Sequence, residues 1–230
     1  MSGRSVTTLL NTACVFDVRP HTGSAKDWST GGHVPSWTGG ANDPTFKRGV
    51  GQVVGLDFKS PQGLSYTGAL TGPTSFAFEA TMLLRSLGAG VSMLWNAAPV
   101  GPSGIYTNVG DARLGVWFGS VIYTRAPAAG GWTINGIPYH VVLSVVSGTG
   151  TIHVNGAFDV SGAVGANVPT TIVLGNSAPG AGNGMDGQLY QARIFNTSID
   201  PDEALALYES SRVRLWPGAQ KRSGITSRIV

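Results

Sequence analysis

The sequence predicts an all-β fold, a sandwich of antiparallel sheets with one short C-terminal helix. Three observations carry that expectation. Strand-like runs recur every 8 to 14 residues with Gly, Pro or Asn between them. The last third places two alternating runs around tight-turn residues. One helix-capping pattern follows them. With 34 Gly and 13 Pro in 230 residues there is little room for long helices. The length suits one large β domain, and no fixed-period repeat points to a propeller or solenoid.

In chain order, residues 15–19 form a first short strand. A polar, Gly-rich stretch then runs to about residue 51; it is expected to wrap the surface with Trp28, Trp37 and Phe46 as anchors. Val53, Val54, Leu56 and Phe58 begin the next strand. Residues 75–84 alternate most clearly, with Phe76, Phe78, Ala80, Met82 and Leu84 on one face and Ser75, Ala77, Glu79 and Thr81 on the other. Shorter runs follow at 91–95, 104–109, 113–118, 121–125 and 170–174. Tyr139, Val141, Leu143 and Val145 then alternate with His140, Val142, Ser144 and Val146. Residues 147–150 close a hairpin onto 151–155, which ends in Asn155-Gly156, a dipeptide suited to a tight turn of positive φ. The run 184–196 leads to the helix, with Asp200 as N-cap, Pro201 at the first position and Glu203 completing a near capping box. Leu205, Leu207 and Tyr208 give the helix a partly apolar face.

The single cysteine, Cys14, can form no internal disulfide and reads as a small buried apolar residue; the chain could fold in a reducing cytoplasm. The first 16 residues make a poor signal peptide, and no apolar run reaches 18 residues. Asn196-Thr197-Ser198 matches a glycosylation sequon by letters and reads as a strand-to-helix connection.

Five pieces in this order are similar to the laminin-G-like branch of the concanavalin A-like jelly rolls: Leu56-Asp57-Phe58, residues 75–80, Tyr139 to Val142, Ile152 to Gly156, and residues 187–208 with the closing helix. The resemblance spans residues 10–209 and implies a jelly-roll β-sandwich of the kind found in bacteriophage structural proteins. Tyr139 stands where the family often has Trp, Tyr190-Gln191 replaces an acidic pair, and Lys59-Ser60 follows Phe58 in place of Asp-Gly. These departures preserve alternation and remove carboxylates, which weakens the carry-over of a calcium site.

Some jelly rolls of this kind are retaining glycanases, which need two carboxyl groups about 5 Å apart. None of the 12 acids forms a Glu-x-Asp-x-Glu pattern on a strand; the one i, i+2 pair, Asp200 and Asp202, belongs to the helix cap. His21, His33, His140 and His153 have no metal-like spacing, although His140 and His153 could meet across their hairpin. No nucleophile elbow or phosphate loop is present. The expectation is therefore no catalysis, no cofactor and no metal.

Charge is uneven. Residues 1–209 carry 10 Lys and Arg against 12 Asp and Glu, whereas 210–230 carry five basic residues and no acid. The chain divides into a jelly-roll domain, 1–209, and a basic tail, 210–230, expected to be ordered by packing on a partner subunit through Arg212, Arg214, Trp216, Lys221 and Arg222. Five charges around one Trp are a weak nucleic-acid footprint, so nucleic acid ranks second to protein, and no membrane partner is implied.

The function expected first is a non-enzymatic virion subunit: a phage capsid decoration, fibre or tail-associated protein, made in the host cytoplasm, homo-oligomeric, with an outward-facing lectin-like domain. The alternative is a carbohydrate-binding module, with Tyr106, Asn108, Asp111, Trp117 and Trp132 as aromatic platform and polar partners for surface glycans. A glycan-active enzyme ranks last.

Overall fold

Alternation builds two antiparallel sheets packed face to face, a jelly-roll β-sandwich. The computed structural model describes residues 3–37, 40–49, 52–59, 61–67, 74–86, 91–96, 104–108, 113–118, 120–124, 138–165, 170–176 and 184–215. Among the described residues the larger sheet has eight strands. They are β1 (Cys14–Val18), β3 (Thr45–Arg48), β4 (Val54–Phe58), β6 (Ser75–Ser86), β11 (Tyr139–Val146), β12 (Thr149–Val154), β13 (Ala157–Ala163) and β15 (Asp186–Phe195). The smaller has seven: β2 (Val34–Ser36), β5 (Leu64–Thr67), β7 (Val91–Asn96), β8 (Gly104–Asn108), β9 (Leu114–Trp117), β10 (Val121–Tyr123) and β14 (Ile172–Leu174). Strand order is β13-β12-β11-β6-β15-β4-β3 in the first, with β1 also on β15, and β10-β9-β8-β7-β14-β5-β2 in the second.

The inward faces make the core. Phe76, Phe78, Ala80, Met82 and Leu84 of β6 meet Val141, Leu143 and Val145 of β11 and, from the other sheet, Ile105, Leu114, Val116 and Leu174. Both hairpin turns have the expected chemistry. Ser147 and Gly148 have φ of 47° and 78°, Asn155 and Gly156 have 51° and 78°, and each two-residue loop joins directly opposed partners, Val146 to Thr149 and Val154 to Ala157. Positive φ at both loop positions matches the right-handed twist of the strands.

Apolar residues also lie on the outer face of the large sheet, because two helices cover it. Ala77, Val142 and Phe195 pack against Leu9 of α1 (Val6–Thr12) and against Ala204 and Leu207 of α2 (Pro201–Leu215). Burying Leu9 and Leu207 contributes roughly 1.5–3 kcal/mol each. α1 starts at Ser5, whose Oγ accepts from Thr8 N at 3.2 Å. α2 starts with a complete capping box: Glu203 N donates to Asp200 Oδ1 at 2.8 Å and Asp200 N donates to Glu203 Oε2 at 2.9 Å. Arg4 clips onto the same Glu203, its Nε 2.7 Å from Oε1.

Three features depart from expectation. α2 runs on to Leu215, and Ser211 and Leu215 are buried, so the segment after residue 209 begins as part of the domain. The helix face repeats as Ala204, Leu207, Ser211 and Leu215, a spacing that bends the boundary past 209. Strands β2, β3, β5 and β13, and helix α1, lie where the sequence pattern predicts no element. Trp28, Trp37 and Phe46 are not anchors: they are 49%, 43% and 38% exposed. The wrap is held by its backbone and small residues, with Tyr66 Oη donating to Ala25 O at 2.9 Å and Trp28 N donating to Asp17 O at 2.7 Å.

Candidate functional site

An open cleft of about 350 Å³ lies where the wrap reaches strand β2, and Lys26, Asp27, His33, Val34, Pro35 and Trp37 line it with Ser24, Ala25 and Gly32. Its frame is Asp27, fixed by a β-bridge to Val18 and by five hydrogen bonds. Oδ1 accepts from Asp17 N at 2.9 Å and Ser29 N at 2.8 Å; Oδ2 accepts from Ser29 Oγ at 3.0 Å, His33 N at 3.1 Å and His33 Nδ1 at 2.8 Å. Burial pushes the Asp27 carboxyl up, but the amides of Asp17 and Ser29 and the His33 ring outweigh it and hold it below the usual carboxylate range.

The same bonds orient His33. Its Nδ1 faces Asp27, and its ring meets Phe16 edge-on with centroids 5.8 Å apart. Gly31 permits this closeness, since a Cβ there would lie 2.3 Å from Val15 O and 2.5 Å from His33 Cε1. Beyond the pair the wall is aromatic and cationic. Trp37 is open to solvent and tilts against Phe46 at 6.4 Å, and the Lys26 ammonium sits 5.1 Å from the Trp28 ring centroid. An exposed indole beside convergent polar groups is the geometry that receives a ligand with one apolar face and a polar rim.

The densest charge cluster of the described residues is elsewhere and is sealed. On the outer face of the large sheet, Arg193 Nε donates to Asp17 Oδ1 at 2.9 Å and Nη1 donates to Glu79 Oε2 at 3.0 Å. Glu79 also accepts from Gln191 Nε2 at 2.6 Å and Ser211 Oγ at 3.3 Å, and His140 Nε2 is 3.0 Å away. Strand register assembles it: β6 pairs Glu79 with Arg193 of β15, and β1 pairs Asp17 with Arg193 from the other side. Burial pushes Glu79 up, yet Arg193 and His140 bring it down to about 2; burial likewise opposes the charge of Arg193, which its carboxylates hold above its ordinary value. Asp17, Glu79, His140 and Arg193 are all buried, so no substrate reaches these carboxylates.

Of the expected glycan platform, Tyr106 alone has a described side chain. Tyr106 is buried with its ring on Gly115, where a Cβ would lie 2.7 Å from Tyr106 Cζ, and its hydroxyl donates to Tyr123 Oη at 3.0 Å. Tyr106 is thus a packing residue and not an open platform. Asn108 and Trp117 have their backbone in β8 and β9; their side chains, with Asp111 and Trp132, lie outside the described residues. In the expected subunit contact, Arg212 Nε pairs with Glu209 Oε2 at 3.0 Å on α2. Arg214 belongs to α2 by its backbone, and its side chain, with Trp216, Lys221 and Arg222, lies outside the described residues. His140 bonds across to β6 rather than to His153. Among the described residues no group of three or more His, Cys, Asp or Glu is placed to hold a metal ion.

No protein-family model matches the chain, and no curated protein matches it by sequence. Solved structures do match. The binding domain of Paraclostridial Mosquitocidal Protein 1 superposes with a TM-score of 0.65 at 16% identity, over 87% of this chain and 53% of that one. Domain 4 of AbnA, a GH43 extracellular arabinanase from Geobacillus stearothermophilus in complex with arabinotriose, gives 0.63 at 14% identity over 85% of this chain and 98% of that one. Botulinum neurotoxin type C, whose cell entry depends on interaction with two ganglioside molecules, gives 0.63 at 13% identity over 89% and 52%. The chain spans about half the length of the toxin structures and nearly all of the arabinanase domain. At these identities the likeness is one of fold.

Proposed function

We propose that this chain is a non-catalytic, lectin-like domain that binds a saccharide in the cleft framed by Asp27 and His33. One observation carries the reading: Trp37 stands 43% open on the wall of a cleft whose polar frame is already hydrogen-bonded. Leaving an indole in water forfeits the gain from burying it, and a sugar ring stacked on its face recovers that gain while its hydroxyls meet Lys26 and the rim. The frame argues against catalysis, because Asp27 is occupied by five donors and Asp17 and Glu79 are sealed. The arabinotriose complex of the arabinanase domain lends support from a protein of the same fold.

Calorimetric titration with a panel of oligosaccharides, on the native chain and on Trp37→Ala, tests this. Binding by the native chain, weakened about tenfold or more by the substitution, is the expected result. Absence of saccharide binding at millimolar concentration, or equal binding by Trp37→Ala, would sink the reading.

The setting we propose is a virion particle, with the domain outward and the basic segment docked on a neighbouring copy. The concentration of five basic residues and no acid in 210–230 supports it. Since Ser211 and Leu215 are buried in the domain, the truncation that tests the docking must begin after Leu215. Chain 1–215 should stay folded and lose self-assembly seen by light scattering; unchanged assembly would remove the proposed role of the tail.

A further inference from the structure

His153 of β12 is 1% exposed, and neither of its ring nitrogens makes a hydrogen bond. A neutral imidazole carries one donor and one acceptor, so both are unmet here, whereas buried polar groups are as a rule paired. The ring rests edge-on against Phe158, centroids 6.2 Å apart at 76°. On the adjacent strand the His140 ring lies 5.7 Å from Tyr208 of α2, with Nδ1 also unmet. Val142 is directly opposite His153 and packs on Ala204 and Leu207 of α2. Leu205 and Tyr208 overlie the turn that follows His153: a Cβ on Gly156 would sit 2.9 Å and 3.1 Å from their side chains. The histidine therefore belongs to the sheet face that α2 covers.

The charges around it are already committed. Asp200 at the start of α2 accepts from Glu203 N, Glu203 is paired with Arg4, and Glu79 is held by Arg193, Gln191 and His140. Asp159 of β13 is buried next to Phe158 and has its own interactions. No carboxylate hydrogen-bonds to His153.

We propose that His153 is an acid-sensitive latch, which on protonation releases helix α2 from the outer face of the large sheet. A protonated ring has two N–H donors and a charge where no acceptor stands, and the cost persists while the ring stays buried. Of the elements over that face, α2 can lift without breaking a sheet ladder; Ala204, Leu207, Ser211 and Leu215 hold it down. Burial keeps the His153 imidazole below its ordinary value, against a weaker upward pull from Asp200. A depressed histidine stabilises the fold fully above its unfolded value of about 6.5, and that contribution fades as pH falls from there through the folded value. Glu79 acts in a lower window, losing its contribution only as pH falls from about 4.5 to about 2.

Hydrogen exchange of the α2 amides in the full chain tests the latch, at about pH 7.5 and about pH 5.5, with intrinsic rates corrected and with His153→Leu alongside. Protection of α2 in the native chain should fall by up to about tenfold, the linkage limit one pH unit below the unfolded value, while β6 and β15, which open only with the whole fold, stay better protected than α2 at both values. His153→Leu should hold its protection at both values. Unchanged protection in the native chain, or an equal loss in His153→Leu, overturns the proposal. Should the substitution unfold the chain, NMR titration of the native chain decides: a His153 midpoint below about 6.5 that the α2 amide shifts follow upholds the latch, and a midpoint at or above about 6.5, or α2 shifts that do not follow the ring, overturns it.

Discussion

Among the described residues, two buried carboxylate–histidine pairs of nearly equal length, Asp27–His33 at 2.8 Å and Glu79–His140 at 3.0 Å, are built in different ways. Glu79 and His140 come from neighbouring strands, 61 residues apart; Arg193 of the strand on the other side joins them and α2 closes over them with Ser211. Asp27 and His33 are six residues apart on a loop, and the donors that satisfy Asp27 are mostly local backbone and a serine. A loop can satisfy its own acid without a covering layer, so the pair is free to form the wall of a cleft. The same two groups thus serve as a seal in one place and as a frame in the other.

The largest effect should come from breaking the seal. Arg193→Met leaves Glu79 and Asp17 as buried charges without their shared cation and should cost about 3–5 kcal/mol in urea unfolding. A cost near that of a surface change would show that the sealed carboxylates do not depend on Arg193. Breaking the frame should cost less: Asp27→Asn removes the charge that takes five donors and should lose about 1–3 kcal/mol, with loss of saccharide binding beyond what the fold suffers. A stable variant that binds normally would separate the pair from the cleft. The smallest effect on stability is expected at the rim, where Trp37→Ala should stay within about 0.5 kcal/mol of the native chain in the same assay, since the indole is not part of the core.

The sealed face and the cleft also differ in how far they could be foreseen. Alternation in 75–84 and 139–146 and the Asn155-Gly156 turn announce the centre of the large sheet, because a strand with one buried apolar face must repeat every two residues. Strands β2 and β3 escape that signal: β2 contains Pro35, and all four residues of β3 are exposed, so no face selects for apolar side chains. Glu79 and Arg193 are legible as strand residues, but their meeting depends on a register between segments more than 100 residues apart, which no local pattern encodes. In the wrap, Trp37 is visible and its direction is not, because a Gly-rich loop has no period to say which side faces water. The burial of Tyr106 is the converse case, an aromatic strand residue whose alternation was available and favours the core.

Strand β15 pairs with β6, β4 and β1, the last bringing Cys14 opposite Phe195. Seen as a sequence of events in time, the hairpins joining β11, β12 and β13 can close within microseconds of their own accord, while three earlier strands wait for a partner that is synthesised near residue 190. Until then β4 and β6 keep an unfilled seat between them. Completion of the large sheet therefore waits on the insertion of a late strand, as the smaller sheet waits on β14 between β7 and β5, and a nascent chain cut short before β15 presents two open edges to whatever chaperone or neighbouring chain arrives first.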